Sequence, residues 1–270
     1  MGVGRFWILS TVLTDITLSL SGGAARGAFH LGVLEALDEM GIAIRAIAGS
    51  SIGAAVGAGY ASGVSPKKML DIFKSRDFRR TISLNLHRGS LWRINTNENI
   101  FDQLLNGKKS FEALRLPLHV GITDLTNGKV SYINSGELEQ AISASYALLP
   151  FFAPVKIGKN WCADGGFMDN LPIKPLLEYG LPIVGVNLHP LLRHEKGSLL
   201  RRALFLSWHA SIASHLNDLE YCISSPALDG YSLFSLSKLD ELYVLGLNEA
   251  NNYFKTLHNT CLPRYDDAQR

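Results

Sequence analysis

The run Gly49-Ser50-Ser51-Ile52-Gly53 follows an apolar segment, residues 44–48, and opens a stretch rich in Ala and Gly, residues 52–62. The first segment reads as a buried strand and the second as a helix. A chain that passes from strand to helix in so few residues must turn sharply. Glycines on either side of the central residue permit that turn, because no Cβ stands in its path. A serine at the apex has its hydroxyl lifted out of the sheet and set at a helix N-terminus, where the dipole favours developing negative charge. The pentapeptide frame selects Ser51 over Ser50 as candidate nucleophile, with Gly49 and Gly53 forming the elbow. Taken alone, the same pattern suits a small-residue turn that merely packs closely, so its meaning depends on what else the chain carries.

A second run, Ser21-Gly22-Gly23-Ala24-Ala25-Arg26-Gly27, lies between apolar residues 16–20 and residues 27–40. The former reads as a strand; in the latter Leu31, Leu34 and Leu37 recur at helical spacing, and Gly41 ends the helix. Backbone N–H groups in such a loop point together at an anion, and the helix end adds to the attraction. In acyl transfer that anion is the oxygen of the tetrahedral intermediate. Gly22, Gly23, Ala24 and Gly27 are therefore candidate oxyanion-loop residues, and Arg26 reads as a tether for the loop more than as a sensor of anionic head groups. A dinucleotide fold uses similar loops but requires an acidic residue about 20 positions further on. Residues 44–50 hold none, and the Gly-Lys-Ser/Thr of a Walker loop is also missing. No nucleotide and no cofactor are expected.

The third run is Asp164-Gly165-Gly166. A carboxylate followed by two glycines can approach another loop closely, although Asp-Gly is also an ordinary turn pair. An exposed aspartate, with a pKa near 3.9, is a poor base for a hydroxyl. Burial against apolar neighbours such as Trp161 and Phe167 would raise it. The expectation is a partly desolvated Asp164 bonded directly to Ser51, with Gly165 and Gly166 forming the base loop.

Around these runs the chain alternates strand and helix, which points to a parallel sheet with helical crossovers. Ser65-Pro66 is a helix start, leading to a short helix that ends near residue 75. Residues 77–95 show little periodicity. Residues 97–105 read as helix, and 118–125 with 129–133 form a hairpin around Thr126-Asn127-Gly128. Residues 137–148 are helical, 155–157 and 161–163 are short strands, and 182–188 form another buried strand. From residue 198 onward the pattern is mostly helical, with one strand near 231–236. Among 270 residues, 47% are hydrophobic and 19% charged, which excludes disorder. A net charge of +2, without a long Lys/Arg run, argues against nucleic acid. Cys162, Cys222 and Cys261 form no close ligand pair, so no metal is expected, and so sparse a set suits a reducing compartment. No apolar run is long enough to span a membrane. The first residues lack a small-residue cleavage pattern and read as mature chain.

Together and in this order, the three runs resemble the patatin-like phospholipase family. The segments LSGGAARGAFHLGVLEAL, AGSSIGA and ISASYALLPFFAPVKIGKNWCADGGFMDNLP carry the resemblance, which covers residues 16–190. It implies an α/β fold, a three-layer α/β/α sandwich with a mainly parallel central sheet, and a Ser–Asp dyad made by Ser51 and Asp164. It further implies hydrolysis of phospholipid, lysophospholipid or acylglycerol esters, without metal. The expected organisation is one patatin-like domain over 1–270, with the motif-bearing core at 16–190 and a helical part at 191–270. The expected setting is cytoplasmic with peripheral membrane contact, secretion and oligomeric state being left open. One departure stands out: the third glycine usual in the oxyanion loop is here Ala24, a residue that disfavours positive φ.

Two alternatives compete. A Ser-His-Asp hydrolase would need a late histidine; His189, just after the strand at 182–188, is the best placed, ahead of His194, His209 and His215. A catalytically silent lipid-binding module would keep the pocket and lose the chemistry. Residues 66–116 and the helical C-terminal third are the expected walls of an acyl groove, with Leu91, Trp92, Phe101, Leu104 and Leu105 as liners or as ordinary core.

Overall fold

The computed structural model describes residues 13–87, 90–94, 98–190, 199–216, 219, 221–233 and 236–261. In chain order its elements are β1 (Asp15–Leu20), α1 (Ala28–Glu39), β2 (Ala43–Ser50), α2 (Ile52–Ala61), α3 (Pro66–Lys74), α4 (Arg76–Thr81), β3 (Ile82–His87), β4 (Ser90–Ile94) and α5 (Glu98–Leu104). They continue with β5 (Leu118–Asp124), β6 (Lys129–Ile133), α6 (Leu138–Ser145), β7 (Val155–Ile157), β8 (Asn160–Asp164), β9 (Ile183–Val186), α7 (Leu199–Leu216), β10 (Tyr221–Ile223) and α8 (Leu239–Cys261).

The apolar runs of the sequence become the middle of an eight-stranded sheet in the order β10-β9-β1-β2-β5-β8-β7, with β6 also paired to β5. The first five strands of that order run parallel to one another; β6 and β8 pair antiparallel with β5, and β7 pairs antiparallel with β8. Alternation across β2 sorts the faces. Ile47 joins the main core beneath α1 and α2, whereas Ala46 and Ala48 meet Leu176 in a thin second layer made by the 3-10 turn Lys174–Tyr179. The result is a sheet-centred α/β fold with unequal layers. Small side chains on the second face suit the low turn that covers it.

The helical C-terminal part is bound tightly to the core. A Cβ on Gly32 of α1 would lie 2.0 Å from the Tyr243 carbonyl oxygen, and one on Gly246 of α8 would lie 2.1 Å from that of Phe29. The two helices therefore touch backbone to backbone, at a spacing that side chains at these positions would prevent.

Two local expectations fail. The hairpin of β3 and β4 occupies part of residues 77–95, where no element was expected. Ile82, Leu84 and Leu86 do alternate, but over a segment too short to dominate its window. The late strand is β10 at Tyr221–Ile223, while Leu236–Lys238 is a 3-10 turn. A three-residue strand at the sheet edge leaves almost no periodic signal.

Candidate active site

The elbow forms as its sequence demands. β2 ends at Ser50, α2 begins at Ile52, and Ser51 between them has φ 54° and ψ −124°. Backbone of this kind costs on the order of 1–3 kcal/mol and persists only where the surroundings enforce it. The enforcement is visible. The Ser51 N–H donates to Ser145 Oγ at 2.9 Å, and the Ser145 hydroxyl donates to the Gly121 carbonyl at 2.6 Å. A Cβ on Gly53 would meet the Leu20 carbonyl oxygen at 2.2 Å, and one on Gly49 would meet Gly53 backbone at 2.5 Å. Both elbow glycines are thus required by close backbone approach. Ser50, the rival serine, is fully buried and donates its hydroxyl to the Asp169 carbonyl.

Sheet topology brings the carboxylate to this serine. β2 runs along the first half of β5, ending with Ser50 opposite Gly121. β8 runs along the second half in the opposite sense, ending with Asp164 opposite Ile122. Because β6 pairs with residues 120–124 from the other flank, β2 and β8 share one flank of β5 and meet nose to nose at adjacent residues. The Ser51 hydroxyl donates to Asp164 Oδ2 at 2.7 Å, and Oδ1 accepts from the Gly166 N–H at 2.8 Å. A Cβ on Gly165 would lie 2.4 Å from the Gly121 carbonyl oxygen of β5 and 2.8 Å from Ser50 Oγ at the end of β2, so this glycine is what lets the ends of β8 and β2 come so close. Asp164 is only 4% exposed. Burial pushes its pKa up to about 6, against the pull of the bonds from Ser51 and Gly166. Trp161 is not the cause: it is half exposed. Three residues from Asp164 along β8, it faces the other side of the strand.

The glycine loop lies against the serine. A Cβ on Gly22 would stand 3.0 Å from Ser51 Cβ and 2.4 Å from Asn170 Oδ1. The Gly22 N–H is engaged, donating to both the carbonyl oxygen and Oδ1 of Asn170 at 3.1 Å. The N–H groups of Gly23 and Ala24 make no such bond among the described residues. Ala24 adopts φ 49°, so the position does require the left-handed region, and alanine occupies it under strain. Gly27 packs against Ile52 and Gly166 against Asn170, each too closely for a side chain. The buried Arg26 guanidinium donates to the carbonyls of Tyr231 and Leu188, tying the loop to the C-terminal part and to the end of β9.

A family model described as patatin-like phospholipase matches residues 18–177. The chain belongs to the patatin-like phospholipase family. Over 182 residues, or 62% of the chain, it is 33% identical to the lysophospholipase NTE1 of Cryptococcus neoformans, and over 170 residues, or 60%, it is 38% identical to an uncharacterized NTE family protein of Mycobacterium tuberculosis. It spans 11% of the fungal protein's length and 45% of the mycobacterial one's. Among solved structures, VipD from Legionella pneumophila superposes with a TM-score of 0.51 at 14% identity, covering 93% of this chain and 67% of that one. At that identity the likeness is one of fold.

The late histidines among the described residues have other neighbours. His189 is buried, lies edge-on to Phe205 and tilted to Trp208, and has its pKa lowered to about 3, chiefly by burial and also by the nearby Arg26 charge. The Ser51 hydroxyl bonds to Asp164, with no histidine in between. His209 stacks on Phe205, and His215 Nε2 lies 3.4 Å from Asp169 Oδ1. His194 lies outside the described residues. His30 is buried beside the loop, its Nε2 2.8 Å from the Ser21 carbonyl oxygen. No group of three or more His, Cys, Asp or Glu suited to a metal occurs among the described residues.

The proposed liners divide. Phe101, Leu104 and Leu105 are core residues, and the side chains of Leu91 and Trp92 lie outside the described set. Sequence reasoning missed Ser145 and Asn170. Both sit in segments that carry the resemblance, yet only long-range pairing reveals what their side chains hold.

Proposed function

We propose that this chain hydrolyses acyl esters of lipids, with Ser51 as nucleophile and Asp164 as its base. The observation that carries the reading is the 2.7 Å bond from the Ser51 hydroxyl to a buried carboxylate whose pKa is raised to about 6. Such a carboxylate is ionised at neutral pH, yet it is a far better proton acceptor than an exposed aspartate. As Ser51 Oγ attacks the ester carbonyl carbon, its proton passes to Asp164 Oδ2. Negative charge grows on the carbonyl oxygen, where the N–H groups of Gly23 and Ala24 and the N-terminus of α2 receive it. Gly22 contributes shape instead of a donor, since its N–H is held by Asn170. Collapse of the intermediate expels the alcohol, which takes the proton from Asp164. Asp164 next removes a proton from water as the water attacks the acyl-enzyme, and Ser51 leaves with that proton.

The substrate class is phospholipid, lysophospholipid or acylglycerol, a choice supported by the family and by the lysophospholipase among its relatives. A cytoplasmic setting fits Cys162 and Cys222, which are unpaired. Among the described residues no helix is long and apolar enough to cross a membrane. The test compares wild type and Ser51→Ala on short-chain nitrophenyl esters and then on a lipid panel. Loss of about 10³–10⁶ in turnover by a folded variant supports the reading. Equal inactivity of both proteins, folded and given lipid, would favour a silent binding module.

A further inference from the structure

The strands that bring the base to the serine also run past it. β5 continues from Ile122, level with Asp164, to Asp124 and into the turn at 125–128, and β8 enters from the same end through the turn before Asn160. At roughly 3.3 Å per residue, Leu125 and Trp161 stand about 10 Å beyond the Ser51–Asp164 pair, on the side of the sheet where β2 ends. There Leu125, Thr126, Pro154 and Trp161 line an open groove of about 410 Å³. Leu125 is 42% and Trp161 50% exposed, so two large apolar side chains are presented outward.

The same two hairpins carry lysines. Lys156 Nζ lies 5.9 Å from the Trp161 ring centroid, and Lys129 and Lys159 are exposed at the two turns. The acid nearest in sequence, Asp124, is buried and engaged by the turn itself. Its carboxylate accepts from the N–H groups of Thr126 and Asn127 and from the side-chain amides of Asn127 and Asn160. Tryptophan suits the boundary between water and hydrocarbon, and lysines whose stems lie along apolar surface can hold their charge in the head-group layer. Clustered lysines complement an anionic lipid surface.

We propose that this face is a docking rim for an anionic bilayer: Leu125, Pro154 and Trp161 enter the head-group region, Lys129, Lys156 and Lys159 engage lipid phosphates, and the Ser51 edge is held at the lipid surface. Its purpose rests on the lipid-ester reading, but its test does not, because partitioning is measured without turnover. The full chain is co-sedimented with vesicles of phosphatidylcholine, alone or mixed with phosphatidylglycerol. Wild type should pellet with the mixed vesicles, less so as salt rises. The double variant Leu125→Glu/Trp161→Glu should lose roughly tenfold or more of its partition. Replacing the three lysines by alanine should cost about fivefold for each. Both variants should keep wild-type turnover on a soluble short-chain ester, which shows that they are folded. Failure of wild type to bind mixed vesicles overturns the proposal, as does unchanged binding by both folded variants. It is equally overturned if light scattering shows a dimer that the double variant dissolves, since the groove would then belong to a second copy of the chain.

Discussion

Replacing Asp164 by Asn should make the protein more stable while removing its activity. The carboxyl moves from its ordinary 3.8 to about 6 on folding, with burial as the main cause. A raised carboxyl pKa means that between the two values the folded state keeps a proton that the unfolded state has lost. Stability therefore falls as pH rises through that window, and the whole cost is present above about pH 6. Two pKa units correspond to about 3 kcal/mol. Asparagine carries no such cost. Its Oδ1 can accept from the Gly166 N–H as Asp164 Oδ1 does, and its Nδ2 can donate to Ser51 Oγ once the hydroxyl has turned. The variant should gain about 2–3 kcal/mol over wild type near pH 8 and almost nothing near pH 4. Turnover should fall by about 10⁴. Urea unfolding of both proteins at the two pH values measures the first effect, and ester hydrolysis the second. A variant no more stable than wild type near pH 8, or equally stabilised at both pH values, would refute the linkage between burial of this carboxylate and its chemistry.

The same carboxyl sets the pH profile: kcat/KM should rise through about pH 6 to a plateau as Asp164 ionises, and a profile flat down to about pH 4 would exclude it as the base. Ala24→Gly should stabilise the fold by on the order of 1 kcal/mol, because alanine at φ 49° is strained, and should change turnover by only a few-fold since the loop already holds its shape; thermal unfolding and ester kinetics read both. Ser145→Ala removes the partner of both the Ser51 N–H and the Gly121 carbonyl and should cost about 1–3 kcal/mol in urea unfolding, with unchanged stability counting against its part in enforcing the elbow.

What the sequence disclosed about this site is what short-range sterics encode. Gly49 and Gly53 announce a turn that only glycine can make, and the spacing of strand, loop and helix on either side follows from local periodicity. Asp164 was legible as a carboxylate freed for close approach by Gly165, though not why it reaches Ser51. That depends on β2 and β8 ending nose to nose along β5, a pairing between segments more than a hundred residues apart. The same distance hid the Asn170 grip on Gly22 and the carbonyls of Leu188 and Tyr231 that hold Arg26. Burial of Asp164 was expected from its apolar neighbours, yet Trp161 points outward, because strand alternation sends it to the opposite side. Ala24 raised the question of positive φ, and only the folded loop answers it.

Intact-mass analysis with a fluorophosphonate, followed by peptide mapping, bears most directly on the Ser51–Asp164 dyad. Wild type should gain one adduct, located on Ser51; Ser51→Ala should gain none, and Asp164→Asn should react far more slowly. An adduct on Ser50, equal labelling of Ser51→Ala, or no labelling of folded wild type would contradict the dyad.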